Sequence, residues 1–336
     1  MNTILVTGGA GFIGSNFIRG MLARTDARVV NFDKLTYAGN LENLADIADD
    51  PRYTFIRGDI CDGTAVRAAI ADHAVDAIVN FAAESHVDRS ISDASPFIAT
   101  NIAGVQVLLD AARAAGVKRF VQVSTDEVYG SLAEPVTADE HAPLHPGSPY
   151  AASKAAADLL CMAYANTYGM PVLITRCSNN YGPYQHPEKL LPLALSRALA
   201  GQSIPLYGDG LQQRDWLHVD DHCRALQFVL ERGTVGTIYN IATGRRRTNK
   251  EVLHALLDLT GAPHGLITPV TDRLGHDRRY APDATRIAGE LGWAPTIAFD
   301  DGLRATVQWY RDHEEWTKHI LSGAYRTYFE TQYALK

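Results

Sequence analysis

Ile4-Leu5-Val6-Thr7-Gly8-Gly9-Ala10-Gly11-Phe12-Ile13-Gly14 decides the fold. Three consecutive aliphatic residues read as a buried strand, and a helical segment, Ser15–Leu22, follows at once. Between them Gly9, Gly11 and Gly14 satisfy G-x-G-x-x-G, while Gly8, Gly11 and Gly14 satisfy G-x-x-G-x-x-G. Glycines let the backbone turn tightly and approach a pyrophosphate, whose charge then meets a helix N-terminus. A glycine-rich turn alone is also compatible with a plain connection, so its context decides. Asp33 ends a second strand, Arg28–Phe32, 19 residues after Gly14. A carboxylate there accepts from a ribose 2′-hydroxyl and repels a 2′-phosphate, which favours NAD over NADP.

The rhythm continues outward from this turn. Tyr53–Ile56, Ala77–Asn80, Phe120–Val123 and Val172–Ile174 read as further buried strands, the last completing the sheet as a sixth. Helix-compatible stretches Thr64–Ala71, Pro96–Ala115 and Pro149–Tyr168 alternate with them. Such alternation predicts an α/β fold with a doubly wound parallel sheet of the Rossmann type. After Arg176 the pattern loosens: Pro183, Pro187, Pro192 and Pro205 punctuate short elements such as Ile204–Leu206 and Ile238–Asn240. Thr248-Asn249-Lys250-Glu251 reads as a capping box opening a helix that ends near Gly261. The expected organisation is a dinucleotide-binding domain over residues 1–175, with segments returning from roughly 214–245. A second, smaller substrate-binding lobe is expected mainly over residues 176–336.

The composition suits a globular chain. Its 336 residues are 46% hydrophobic and 21% charged, too apolar for disorder. Lys plus Arg number 31 against 38 Asp plus Glu, a net charge of −7 that argues against a general nucleic-acid or anionic-membrane binder. Cys61, Cys161, Cys177 and Cys223 are scattered without a C-x-x-C pair, so reduced thiols and a cytoplasmic location are expected. No apolar run approaches the ~20 residues that span a bilayer. The N-terminal apolar run breaks into glycines without a preceding basic region, unlike a signal peptide.

Two further motifs carry chemistry. Tyr150-Ala151-Ala152-Ser153-Lys154 places a phenol and an ammonium one helical turn apart, where the cation is expected to lower the Tyr150 pKa toward general-base use. Ser124-Thr125-Asp126-Glu127-Val128-Tyr129-Gly130 follows the strand Phe120–Val123, at the sheet edge where α/β folds bind ligands. Two adjacent carboxyls there divide acid and base work if their environments push their pKa values apart. Other signals are discounted. His218, His222 and Cys223 lack a complementary ligand pair, so no metal is expected. Arg245-Arg246-Arg247 reads as solvated surface, and Cys177 as packing, with nothing beside it to activate a thiolate.

With these motifs in place, Thr7–Gly14 and Tyr150-x-x-x-Lys154 resemble the extended short-chain dehydrogenase/reductase superfamily. More narrowly, Phe81–Ser90, Ser124–Gly130, Arg176–Pro183, Tyr184–Leu190, Leu206–Gly210, Arg214–His222 and Gly275–Tyr280 resemble the dTDP-glucose 4,6-dehydratase family. The likeness runs from residue 3 to about residue 310. The Thr125-Asp126-Glu127 triplet is its most specific part, because epimerases of this fold usually lack the carboxylate pair.

The resemblance implies a lyase that turns dTDP-glucose into dTDP-4-keto-6-deoxyglucose and water, with NAD retained throughout. Tyr150 takes the 4-hydroxyl proton as hydride leaves C4, and Glu127 removes the C5 proton. Asp126 protonates the departing 6-hydroxyl, hydride returns to C6, and Glu127 reprotonates C5. Thr125 bonds the C4 oxygen and Lys154 supports the tyrosine and the nicotinamide ribose. These roles ask Asp126 to be protonated near neutral pH and Glu127 ionised.

The cofactor contacts it implies are Gly8, Gly11, Phe12, Ile13 and Gly14 in the glycine turn, and Asp33, Lys34, Leu35 and Thr36 after the second strand. Asp59 and Ile60, Phe81, Ala82, Ala83 and Ser85, then Thr100, Tyr150, Lys154 and Asn180, complete that set. Implied substrate contacts are Ser85, Thr125, Asn179, Lys189 and Leu190, then Pro205, Leu206 and Tyr207. Arg214, Asn249, Asp272, Arg273 and His276 finish them, an arginine fork suiting a diphosphate better than a lysine.

Alternatives are a 4,6-dehydratase of UDP-glucose or UDP-N-acetylglucosamine, a nucleotide-sugar 4-epimerase with no use for both carboxyls, and a non-catalytic NAD-binding regulator. The family also implies a homodimer built on the Tyr-x-x-x-Lys helix and the helix before it. The alanines between Ala151 and Ala165 permit close helix approach but equally suit packing on the sheet.

Overall fold

The structure is a computed structural model that describes residues 1–322. The chain opens with β1 (Thr3–Thr7), α1 (Phe12–Arg24), β2 (Arg28–Asp33), β3 (Tyr53–Arg57), α2 (Gly63–Asp72) and β4 (Ala77–Asn80). Then follow α3 (Val87–Ser92), α4 (Ser95–Ile98), α5 (Val105–Ala115), β5 (Arg119–Thr125), α6 (Pro149–Tyr168) and β6 (Val172–Cys177). The remaining strands are β7 (Asn179–Tyr181), β8 (Ile204–Tyr207), β9 (Gln213–His218), β10 (Ile238–Ile241), β11 (Arg246–Thr248) and β12 (Ile267–Val270). The helices among them are α7 (Leu190–Leu199), α8 (Val219–Arg232), α9 (Asn249–Thr260), α10 (Thr285–Leu291), α11 (Phe299–Asp312) and α12 (Glu314–Leu321).

Seven parallel strands form the main sheet in the order β10-β6-β5-β4-β1-β2-β3. Strands buried on both faces read as unbroken aliphatic runs, which is why β1, β4 and β6 stand out in the sequence. On one face, Phe17 and Ile18 of α1 meet Leu226 and Val229 of α8. On the other, Leu108 and Leu109 of α5 pack with Ala157 and Cys161 of α6. Each such large aliphatic or aromatic side chain contributes about 1.5–3 kcal/mol by leaving water.

Helix ends follow local chemistry. Ser148 caps α6 by accepting from the Ala151 amide, Pro149 occupies its first turn, and left-handed Gly169 (φ 63°) ends it. Thr248 and Glu251 form the expected capping box on α9, and Gly261 (φ 73°) closes that helix.

Three sequence expectations need correction. The sheet does not end at the sixth strand, because β10 returns from the distal part of the chain and pairs with β6. The sequence marks Ile238–Asn240 as a short element within the returning 214–245 segment, but four residues carry no pattern that names the strand they pair with. The span Pro96–Ala115 is not one regular helix: α4 and α5 are joined by a π-helical segment, Ala99–Gly104. A π turn adds a residue and re-aims side chains, here turning Asn101 inward. Finally, Ile287, Leu291 and Trp293 pack into the core of the main sheet, so a segment beyond the expected 214–245 also returns to it.

The other elements surround a separate core. β11, β9 and β7 make a small mixed sheet, and β12 pairs with β8. Leu191, Leu195, Leu253, Leu257, Leu303 and Trp316 fill the space between α7, α9, α11 and α12. Residues 323–336 of the expected second lobe lie outside the described residues.

Candidate active site

All seven strands run the same way, so their carboxyl ends share one edge, and strand order reverses between β1 and β4. Ligands of open α/β sheets bind at such a switch point. Here Gly8 follows β1 with φ 68°, and a Cβ on it would stand 2.6 Å from the Ala82 amide nitrogen. A Cβ on Gly14 would meet the Gly8 carbonyl at 2.4 Å. A Cβ on Gly11 would stand 3.3 Å from Gly8 O, a tight approach, and 3.9 Å from Ala38 O. Gly11 caps α1 without a side chain, and the first turn of α1 holds no acid. The first amides of α1 therefore meet the cleft without a side-chain acceptor of their own, an arrangement that suits an anion.

A cleft of about 320 Å³ opens along this edge. Asp33 is fixed at its rim, accepting from the Ala10 amide at 2.9 Å and the Leu35 amide at 2.8 Å, and burial raises its pKa. Lys34 Nζ lies 2.6 Å from Asp59. Of the expected cofactor contacts, every one lines the cleft except Leu35, which sits at φ 58° and offers its amide to Asp33. Those residues fit a dinucleotide: an uncapped helix end over a glycine floor, and a carboxylate at the second strand's tip.

All five expected catalytic residues line the same cleft. Asp126–Tyr129 form a single 3₁₀ turn directly after β5, with Thr125 Oγ1 accepting from the Glu127 amide at 3.3 Å. Asp126 is only 2% exposed, and its Oδ2 has no hydrogen-bond partner. Burial, and next the Glu127 carboxylate beside it, hold the Asp126 pKa well above the usual range. Burial raises Glu127 as well, but Arg273, Arg214 and Lys189 oppose that rise. Both carboxyls are therefore held above the ordinary range, Asp126 well above it and Glu127 with nearby cations resisting the rise, so that Asp126 is the better placed to keep its proton.

α6 presents Tyr150, whose amide donates to Ser90 Oγ at 3.1 Å and whose ring meets Phe97 edge-on at 6.3 Å. Its phenol is held well above its ordinary pKa, first by burial and then by Glu127, with Thr125 as a hydrogen-bond partner acting the other way. This corrects the expectation that Lys154 lowers Tyr150. Lys154 Nζ instead donates to the Val123 carbonyl at 2.7 Å, and burial lowers its own pKa. Cys177 is also pushed up to about 12 by burial and by Asp126, so it supplies no thiolate.

The expected substrate contacts divide. Ser85, Thr125, Asn179 and Lys189 line the cleft, with Lys189 Nζ donating to the Ser85 carbonyl at 3.1 Å. The others stand outside its lining. Arg273 lies 3.7 Å from Asp88, which also accepts from Tyr207 Oη at 3.2 Å. His276 Nδ1 lies 2.6 Å from Asp272. Arg214 donates to the Gln213 and Asp277 carbonyls and stacks over Tyr280 at 4.1 Å. The Leu206 side chain is buried in the second core. Leu190 packs against that core, Pro205 is half-buried in β8, and Asn249 opens α9.

Several residues escaped the sequence reading. Asn101 accepts from the Glu84 amide and donates to its carbonyl, both at 2.9 Å, and donates to Ser153 Oγ at 2.8 Å. It thereby ties the loop after β4 to the tyrosine helix, and no motif marked it. Trp316 Nε1 donates to Asn43 Oδ1 at 2.8 Å, and Asn43 Nδ2 donates to the Ala10 carbonyl at 2.9 Å, linking α12 to the glycine turn. Asp88, Arg89 and Glu188 stand inside quoted motifs but had no role assigned.

The discounted signals resolve simply. His222 Nδ1 bonds Asn180 Oδ1 at 2.9 Å, His218 caps α8, and no metal-binding cluster occurs among the described residues. Arg245 is exposed, as expected of a solvated run, while Arg246 and Arg247 are partly covered. They form β11, with Arg247 3.2 Å from Asp300 and over the Phe299 ring.

The glycine turn under an uncapped helix, with Tyr150 and Lys154 on one face of α6, defines the extended short-chain dehydrogenase/reductase class. Within it, the chain belongs to the GDP-mannose 4,6 dehydratase family, which matches residues 5–306. It is 53% identical over 319 residues to a dTDP-glucose 4,6-dehydratase of Actinoplanes sp., covering 93% of this chain and 99% of that one. The dTDP-glucose 4,6-dehydratase DesIV of Streptomyces venezuelae, solved with NAD and TYD bound, matches with a TM-score of 0.92 at 52% identity, over 95% of this chain and 99% of that one. A UDP-glucose 4-epimerase of Thermus thermophilus, in complex with NAD, is more distant, at TM-score 0.86 and 33% identity over 93% and 99%.

Proposed function

We propose that this chain is an NAD-dependent 4,6-dehydratase of nucleotide-activated glucose, with dTDP-glucose as substrate and dTDP-4-keto-6-deoxyglucose as product. The observation that carries this reading is the pair Asp126 and Glu127, adjacent in one turn yet held in unlike electrostatic settings. An epimerase needs no such pair, and the relatives near 50% identity are dTDP-glucose 4,6-dehydratases. A non-catalytic regulator is not favoured, since the chain retains Thr125, Asp126, Glu127, Tyr150 and Lys154.

Bound NAD would supply an acceptor for the C4 hydride, a positive charge that favours phenolate, and hydride for C6. The glycine turn and the α1 amides would hold its pyrophosphate, and Asp33 its ribose. With that positive charge offsetting the burial and the Glu127 carboxylate that hold the phenol protonated, Tyr150 takes the 4-hydroxyl proton as phenolate, and Thr125 hydrogen-bonds the C4 oxygen. With C4 a ketone, the C5 hydrogen is acidic. Glu127 removes it while Asp126 protonates the leaving 6-hydroxyl, so water departs across C5 and C6. Glu127 then returns the proton to C5. Lys189, Arg214 and Arg273 supply positive charge toward the substrate diphosphate.

The protein is further read as a cytoplasmic homodimer. Ala152, Ala156, Leu159 and Ala163 form one outward stripe on α6, with Leu159 63% exposed, while Ala151, Ala155 and Ala157 pack inward. Small residues on such a stripe suit close helix approach. All four cysteines are free, which suits a reducing compartment. No helix among the described residues is long and apolar enough to cross a membrane.

Purified protein incubated with dTDP-, UDP-, GDP- and CDP-glucose tests the reading through alkali-induced keto-sugar absorbance and mass loss of one water. Substrate deuterated at C4 is expected to give product labelled at its methyl group. Absence of water loss from every sugar, or label washed into solvent, would overturn it.

A further inference from the structure

Three stretches distant in sequence meet on one buried carboxylate beside the cleft. Tyr37, from the loop after β2, donates its Oη proton to Glu188 at 3.3 Å. His86 and Arg89, at the start of α3, bring Nε2 to 3.6 Å and a guanidinium nitrogen to 3.9 Å. Glu188 itself comes from the loop before α7, with His186 Nδ1 at 3.9 Å. Arg89 also stacks over the Tyr37 ring at 3.6 Å, and His186 meets that ring edge-on at 5.5 Å. A parallel tie joins two of these loops, from Lys189 Nζ to the Ser85 carbonyl.

The arrangement is unlike an ordinary structural ion pair. Glu188 is buried, but its closest cation is long, and its Oε2 accepts no hydrogen bond. A carboxylate so placed is costly to bury unless its surroundings compensate it together. The imidazoles carry no charge near neutral pH, since burial pushes His86 to about 2 and His186 to about 3. Compensation therefore falls to Arg89, Lys189 and the Tyr37 hydroxyl, one from each stretch. Only with all three loops in place is the Glu188 charge offset from every side. The same loops carry Thr36, Ser85, His186 and Lys189, all lining the cleft.

We propose that Glu188 is a positioning residue that clasps these three loops together along the cleft wall, so that a bound dinucleotide does not exchange between the two redox halves of one turnover. This rests on the reading that NAD is the resident cofactor. A reaction that is redox-neutral overall fails if reduced cofactor escapes midway, so slow release has a direct chemical purpose.

The test measures release itself, not turnover. Protein saturated with NAD⁺ and freed of excess by gel filtration is diluted into an NAD-consuming scavenger enzyme, and loss of bound cofactor is timed. Glu188→Gln keeps size and an acceptor for Tyr37 but removes the charge, and is expected to release NAD at least tenfold faster. Tyr37→Phe is expected to release it at least threefold faster. The melting temperature of each cofactor-free variant is expected to match that of wild type. Release by folded Glu188→Gln less than threefold faster than wild type would overturn the proposal, as would an equivalent loss of cofactor-free stability. Should Glu188→Gln fail to fold, the same threefold threshold applied to Tyr37→Phe decides the matter. Wild-type protein that retains no NAD refutes the cofactor reading, and the clasp with it, before any variant is compared.

Discussion

Replacing Asp126 with Asn swaps a buried acid for a neutral group of the same shape. Asp126 sits at the end of β5 with one oxygen unpartnered, and burial and Glu127 both favour its protonated form. A protonated carboxyl and an amide are nearly isosteric, so the turn Asp126–Tyr129 should persist. What disappears is a proton to give to the leaving hydroxyl. General acid catalysis is worth about 10²–10⁴-fold, or about 3–5 kcal/mol of barrier.

The stability change has a definite sign. The folded-state pKa of Asp126 is raised, so the unfolded state loses its proton first as pH climbs from about 4. From there upward Asp126 costs stability, and Asn, which does not titrate, removes that cost. Asp126→Asn should therefore be at least as stable as wild type at neutral pH and about 10²–10⁴-fold slower in losing water. In single-turnover mixing with dTDP-glucose, absorbance of reduced nicotinamide should rise near the wild-type rate and then persist, while wild type shows a short transient. Equal slowing of nicotinamide reduction and water loss would refute the assignment, as would unimpaired dehydration.

Two other substitutions probe the scaffold. Gly8→Ala forces an L side chain into φ 68° and against the Ala82 backbone at 2.6 Å. Strain and overlap should cost about 2–4 kcal/mol, seen as a lower melting temperature and a lower NAD content; wild-type values for both would count against the close approach. His222 is buried with a pKa of about 3, below its unfolded value near 6.5. Its stability contribution is complete above that value and falls as pH drops toward 3. Urea denaturation should thus show wild type losing about 2 kcal/mol relative to His222→Gln between pH 7 and pH 5, and a difference independent of pH would disprove it.

Local signals account for much of the fold. β1, β4, β5 and β6 are legible because parallel strands covered on both faces demand apolar runs, and α6 because Ser148, Pro149 and Gly169 mark both its ends. The glycine turn and the Thr125-Asp126-Glu127 triplet are legible because each is contiguous. What escaped depends on contacts between distant residues. β10 is four residues whose place is set by β6, 64 positions earlier at the register Ile238↔Ile174. Asn101 works only because a π turn rotates it toward Glu84 and Ser153. The state of the Tyr150 phenol is not legible because helical spacing places Lys154 one turn away, whereas the ammonium turns to the Val123 carbonyl.

The late return of β10 bears on how the polypeptide matures during synthesis. When the ribosome has released β1 to β6, the outer margin of β6 is a row of unpaired amides and carbonyls, a ready template for another nascent chain. Only after residues 238–241 emerge is that margin sealed. A product truncated just after β6, near residue 180, is thus expected to aggregate rather than persist as a free nucleotide-binding module. Overproduction at a slower translation rate should in turn lengthen the window in which chaperones are needed.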